Sequence, residues 1–273
     1  MDYPTADGID TTRTDGILTV TFCRPERRNA LSPDQWDHVS QLVAMAEHDD
    51  ETRVVVLTGA GGDFSTGADL AVANLASDGG QVPPIVMGRN VFLPLLELSK
   101  PLIAKVDGVA AGGGLGFALC CDIRVASETA RFATSFTRIG ITANDAVGWL
   151  LPRIVGTAKA LELIWTGTPI DAAEAERIGL VSYVVPRDQL DAKVDAMARA
   201  FADGPPVAIR LSKRLVLEGL NRSYREQVVA QEYASLANRV LAPQDIAEGL
   251  AAFKERRAPR FKGFTGTRRW KNY

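Results

Sequence analysis

The sequence predicts an α/β core followed by a helical C-terminal part, and three observations carry that expectation. Two continuous apolar runs, Arg53 to Thr58 and Leu102 to Val106, have the length and β-branched content of strands buried on both faces. Each empties into a glycine-rich turn, and strands then alternate with helical patterns, as a parallel sheet with crossover connections requires. From Leu190 onward the apolar spacing is helical throughout.

Taken in order, Ile17 to Phe22 alternates β-branched and apolar residues and reads as the first strand, closed by Arg24-Pro25. Ser32-Pro33-Asp34-Gln35 supplies an N-cap, a proline in the first turn and a glutamine three residues after the cap, so a helix runs from Pro33 to His48. Gly59-Ala60-Gly61-Gly62 turns the chain after the Arg53 to Thr58 strand. Leu115 to Cys121 reads as a buried helix and Ile123 to Ala126 as a strand. Helices are expected at Asp145 to Ile154, Ala158 to Trp165 and Ala172 to Ile178, with a last strand at Val181 to Val185. Four more helices follow: Leu190 to Phe201, Pro206 to Leu217, Tyr224 to Leu241 and Asp245 to Arg256. Gly204-Pro205-Pro206 divides the chain into residues 1–203, the α/β core, and 204–273, the helical part.

Composition narrows the chemistry. A formal charge of −2 offers no global field for nucleic acid. The apolar runs are strand-sized and no run spans a bilayer, and the acidic N-terminus (Asp2, Asp7, Asp10) lacks a secretion-signal pattern. Three cysteines, Cys23 and the adjacent Cys120 and Cys121, form neither a disulfide framework nor a spaced metal site, so a cytoplasmic location is expected. The two histidines, His38 and His48, fall on a helix whose polar positions include Asp34, Gln35, Asp37 and Glu47, and are read as solvated. That scarcity disfavours a Ser-His-Asp hydrolase or a multi-histidine metal enzyme.

Two segments stand out chemically: Phe64-Ser65-Thr66-Gly67-Ala68-Asp69-Leu70 and Ala110-Ala111-Gly112-Gly113-Gly114-Leu115-Gly116. In each, a strand empties into small residues and a helix begins. Small residues allow close approach to the backbone, and a helix start leaves amide N–H groups unpaired. Neither carries the Gly-Lys-Ser/Thr ending of a phosphate loop.

Together and in this order, the segments resemble the enoyl-CoA hydratase/isomerase (crotonase) superfamily. The resemblance begins at Arg24-Pro25-Glu26-Arg27-Arg28-Asn29-Ala30-Leu31 and passes through both glycine segments. It continues in Leu151-Pro152-Arg153-Ile154-Val155-Gly156, in Ala172-Glu174-Ala175-Ile178-Gly179-Leu180-Val181 and in Glu248-Gly249-Leu250-Ala251-Ala252-Phe253. It implies a crotonase-like (ClpP/crotonase) spiral of ββα units with a helical C-terminal part that forms trimers or dimers of trimers. By the same resemblance, the backbone amides of Ala68 and Gly113 bind a thioester carbonyl. Arg28 and Ala30 line the coenzyme A channel, and Thr66, Gly67, Asp69 and Leu70 contact the cofactor portion of the substrate. Arg256 falls where relatives carry a basic residue for a neighbouring subunit's CoA phosphate. No metal and no cofactor beyond the substrate's CoA is implied.

The chain departs from the family pattern at the residues that activate water. The two hydratase glutamates are replaced by Gly116 and Phe136, neither of which transfers a proton. Asp145 lies one residue beyond Asn144, the position that matches the aspartate of several isomerases. It is read either as a pocket base, buried among Phe136, Trp149 and Val147, or as a cap of the following helix. Residues 81–100 lack the histidine of the dehalogenase branch, with Arg89 and Asn90 in that stretch, and residues 71–90 are expected to shape the acyl pocket. The preferred expectation is double-bond isomerisation through Asp145. The alternatives are hydration or hydrolysis of an unusual acyl-CoA, and a catalytically silent CoA-binding paralogue.

Overall fold

The computed structural model describes residues 1–71 and 91–263. The chain opens with a hairpin of β1 (Ile9–Thr14) and β2 (Ile17–Phe22), paired antiparallel through Asp15-Gly16. Both turn residues have positive φ, the geometry of a two-residue turn that follows strand twist. Sequence reading began at β2 and missed β1, whose alternate residues are Thr and Arg on a half-exposed edge.

The main sheet then grows parallel, through β3 (Val54–Gly59), β4 (Leu102–Val106), β6 (Ile123–Ser127) and β9 (Tyr183–Val185), in the order β1-β2-β3-β4-β6-β9. A second sheet of three short strands, β5 (Val109–Ala111), β7 (Arg131–Ala133) and β8 (Ile170–Asp171), was not anticipated.

Both faces of the main sheet are covered, as its apolar runs required. Val55 and Leu57 face the large core, with α1 (Pro33–His48), α2 (Leu93–Glu97) and α3 (Gly113–Cys120) contributing Val39, Leu42, Leu95 and Phe117. Val54 and Val56, on the opposite face, pack with Ile103 and Val125 against Leu190, Val194, Ala198 and Ala202 of α7 (Leu190–Ala202). α4 (Val147–Val155), α5 (Thr157–Thr166) and α6 (Ala172–Arg177) complete the core half. α8 (Pro206–Gly219), α9 (Tyr224–Leu241) and α10 (Pro243–Glu255) follow, with a small cluster of their own at Val207, Leu241 and Ala242.

α1 starts at the expected capping box of Ser32 and Gln35. Gln35 is buried, not solvated as its place among the polar positions implied, and its amide also donates to the Asp7 carbonyl. His38 is half-buried, with Nε2 at the Pro4 carbonyl. Cys120 and Cys121 are buried. Among the described residues no helix is long and apolar enough to cross a membrane, and no cluster of His, Cys, Asp and Glu could hold a metal.

Candidate active site

The first glycine segment is held in place by the turn that precedes α1. Asn29 has a left-handed backbone and is fully buried. Its side-chain amide donates to the carbonyls of Ala60 and Asp63, and its Oδ1 accepts from the Arg24 amide. Ser65 Oγ donates to the Asn29 carbonyl and accepts from the Gly67 amide. The Leu31 amide donates to the Gly67 carbonyl, and the Leu31 carbonyl accepts from Asp69. Leu31 therefore grips the residues on either side of Ala68. That pattern turns Ala68's own amide to the opposite edge, because consecutive amides of an extended chain alternate in direction.

The second segment abuts the first. Gly67, at φ +87°, offers its α-carbon to Gly113: a Cβ there would stand 2.6 Å from the Gly113 nitrogen and 3.1 Å from that of Gly114. Gly113 is the first residue of α3, whose N-cap, Gly112, has no side chain to cap the helix. The amide of Gly113 consequently retains the unpaired donor of a helix start, reinforced by the helix dipole. Neither Ala68 nor Gly113 donates a backbone hydrogen bond among the described residues. The two amides with no backbone acceptor thus belong to touching segments.

Asp145 sits against the second donor. Its Oδ2 lies 2.9 Å from the point where a Cβ on Gly113 would stand. The helix expected from Asp145 instead begins at Val147, and Asp145 and Ala146 both take left-handed φ just before it. The N-cap residue is Ala146 and no side chain caps the helix, so the capping role considered for Asp145 is not the one the fold uses. Asn144 is exposed, whereas Asp145 is half-buried. Left-handed backbone costs a non-glycine residue roughly 1–2 kcal/mol, and here two such residues turn the carboxylate inward. Burial pushes its carboxyl up to about 6, and among the described residues no ion pair offsets the shift.

The position of the first missing glutamate explains the arrangement. A Cβ on Gly116 would collide with the backbone carbonyl of Asp145 and meet its Cβ at 3.3 Å. The Asp145 turn fills the volume a side chain at 116 would need. Phe136, at the other glutamate position, is buried. Trp149 is 47% exposed, with the Arg153 guanidinium 4.0 Å from its ring centroid. Apolar neighbours include Trp36, at the same point beside Gly113, and Phe92, at the same point beside Gly116.

A family model described as enoyl-CoA hydratase/isomerase matches residues 12–264. The chain belongs to the enoyl-CoA hydratase/isomerase family. It is 39% identical to a protein of Mycobacterium tuberculosis named "Probable enoyl-CoA hydratase EchA12", over 90% of this chain and 89% of that one. It is 33% identical to the 1,2-epoxyphenylacetyl-CoA isomerase of Escherichia coli, over 91% and 95%. Its fold matches the crystal structure of an enoyl-CoA hydratase from Bacillus anthracis with a TM-score of 0.85 at 32% identity, covering 93% of this chain and 99% of that one. The architecture is therefore the crotonase fold, and both hydratase and isomerase names occur among the relatives.

In this family member the remaining candidates are placed unevenly. Arg28 is exposed and anchored by two bonds to Asp63, whose Oδ1 also accepts from the Val109 amide. Ala30 is buried and its carbonyl accepts from Arg24. Thr66 bonds the Arg28 carbonyl, and Leu70 is 57% exposed. Asp69 turns its carboxylate inward, where the Ala71 amide and the Arg24 guanidinium hold it below the usual carboxylate range. Its side chain braces the loop and leaves only backbone for a ligand. Arg256 caps α10 at the exposed end of that helix. Residues 72–90, with Arg89 and Asn90, and the Arg268-Arg269 pair lie outside the described residues. Sequence reading missed Arg24 and Trp36 as builders of the site. The signal for Trp36 was its place as the first residue of the apolar stripe Trp36, Val39, Val43 and Ala46.

Proposed function

We propose that this chain is an acyl-CoA double-bond isomerase, with the amides of Ala68 and Gly113 holding the thioester oxygen and Asp145 moving the proton. The observation that supports it is the position of the Asp145 carboxylate beside the Gly113 donor, in a space closed to a glutamate at 116. The carboxylate takes a proton from the α-carbon of a β,γ-unsaturated thioester. The released electron pair shifts onto the carbonyl oxygen, where the two amides stabilise the charge. The protonated acid then returns the proton to the γ-carbon, and the double bond ends conjugated to the thioester. A carboxyl titrating near 6 serves both halves of this shuttle near neutral pH.

The remainder of the reading is of the same kind. Arg28, Ala30 and the Thr66 to Leu70 backbone would contact the CoA portion, and the substrate brings that CoA with it. The C-terminal helices would join three chains, or two such trimers, with Arg256 reaching a neighbour's CoA phosphate. No nucleic acid or membrane partner is expected, and the protein would act in the cytoplasm.

The test is incubation with a 3-enoyl-CoA and with crotonyl-CoA in deuterated water, following conjugation and deuterium uptake by mass. Conversion of the 3-enoyl thioester, slowed 100-fold or more by Asp145→Asn, is the expected result, in line with the typical ~10²–10⁴ of a general acid/base group. Hydration of crotonyl-CoA that survives Asp145→Asn would make it a hydratase by another route. CoA binding with neither turnover nor exchange would make it a silent paralogue.

A further inference from the structure

One side chain touches both halves of the oxyanion hole. Trp36 lies in the first turn of α1, fixed by the Ser32 capping box and by Pro33. Its Nε1–H donates to the Leu31 carbonyl at 3.1 Å. The same carbonyl accepts the Asp69 amide at 2.9 Å, while the Leu31 amide holds the Gly67 carbonyl at 2.8 Å. The pyrrole end of the indole is thereby tied to the short bridge that orients Ala68.

The benzo end reaches the other donor. Cζ2 lies 2.6 Å from where a Cβ on residue 113 would stand, and Cη2 lies closer still. The ring cannot slide away: Phe92 meets it edge-on at 5.5 Å and 84°, and Phe117 lies tilted against it at 5.3 Å. An indole has two rotatable bonds and no internal freedom, so its length becomes a fixed distance between whatever it touches.

We propose that Trp36 is a positioning residue, a strut that sets the separation between the Ala68 and Gly113 amides. The inference rests on the oxyanion-hole reading but not on the choice between isomerisation and hydration. It also accounts for glycine at 113. A methyl group there would strike the ring and push the donor amide off its place.

The experiment reads the hole directly. Saturated butyryl-CoA labelled with ¹³C at the carbonyl is bound to the protein, and the lowering of its carbonyl stretching frequency is measured by infrared difference spectroscopy. Wild type should show a clear lowering. Trp36→Phe, which loses the donor and the reach, should lose a large part of it, and Trp36→Leu most of it. Affinity for the same thioester should change less than about threefold, and α-proton exchange should fall about 100-fold, as expected for an ångström-scale misplacement. Gly113→Ala should abolish the lowering, and Trp36→Leu in that background should recover part of it by making room for the methyl.

An unshifted frequency in wild type would remove the oxyanion hole and the strut with it. A lowering in wild type that persists undiminished in both Trp36 variants would leave the hole intact and overturn the strut. Should Trp36→Leu melt below the assay temperature, Trp36→Phe decides by the same criterion.

Discussion

The sheet-bearing half of the molecule and its C-terminal helices treat apolar surface in opposite ways. On α7 the apolar stripe is spent on the sheet: Leu190, Val194, Ala198 and Ala202 all disappear against strand residues. On α8 to α10 the buried apolar set is small, while Leu220, Tyr233, Leu236, Val240 and Phe253 are all more than half exposed. A groove of about 520 Å³ runs between α8 and α9, lined by Leu211, Leu215, Tyr233, Leu236 and Val240 among others. The helices are fastened to the core by polar contacts, such as Lys213 to Asp122 and to the Lys100 carbonyl. The sheet face under α7 is thus buried within one chain, whereas the C-terminal helices leave amphipathic sides exposed. Contiguous exposed apolar surface of that kind marks an interaction face. The proposed self-association would cover it, and the candidate chemistry belongs to the sheet-bearing half.

The strongest way to break this contrast is to charge the helical face. Phe253→Asp combined with Leu236→Asp should weaken self-association by at least about 100-fold, since each large apolar side chain contributes roughly 1.5–3 kcal/mol on burial. Light scattering behind gel filtration reads the mass, and near-ultraviolet circular dichroism should show the core unchanged. A chain that is monomeric before the substitutions would remove the proposed trimer.

A smaller effect probes the opposite half. Gly116→Ala should destabilise the fold by about 1–3 kcal/mol, the usual cost of overpacking, because its methyl meets the Asp145 carbonyl. Proton exchange should fall at the same time, and the association state should not move. Unaltered melting and exchange would mean the Asp145 turn does not occupy that volume.

A further effect is electrostatic. Asp145 titrates near 6 when folded against a reference of 3.8. The folded state therefore holds the extra proton across that window, and this group's contribution lowers stability as pH rises from about 4 to about 6. Asp145→Asn removes the penalty. Denaturant melts of wild type and variant should coincide in their pH trend below about 4 and favour the variant increasingly up to about 6, with a constant offset above. A difference that does not change across the window would place the carboxylate in solvent.

Much of this organisation was legible in the sequence. Ser32, Pro33 and Gln35 announce the start of α1 through chemistry that involves only near neighbours. The apolar runs of β3 and β4 announce burial on both faces. Yet β1 escaped although Asp15-Gly16 is a strong hairpin signal, because its polar, half-exposed residues do not resemble a buried strand. The second sheet escaped because strands of two or three residues have no periodicity to read, and long-range pairing alone defines them.

What the chain's residues determined by themselves is the main parallel strands, the larger helices and the supply of glycine where two backbones come close. Turn chemistry, capping and side-chain period are local, so a linear text carries them. Only the tertiary structure decided that Asp145, not Asn144, turns inward, and that Trp36 spans from Leu31 to Gly113. Both depend on which distant atoms meet: the carbonyl of residue 145 against the bare α-carbon of 116, and an indole edge against that of 113. Such contacts form only when segments far apart in sequence close on one another, and no local preference encodes their direction.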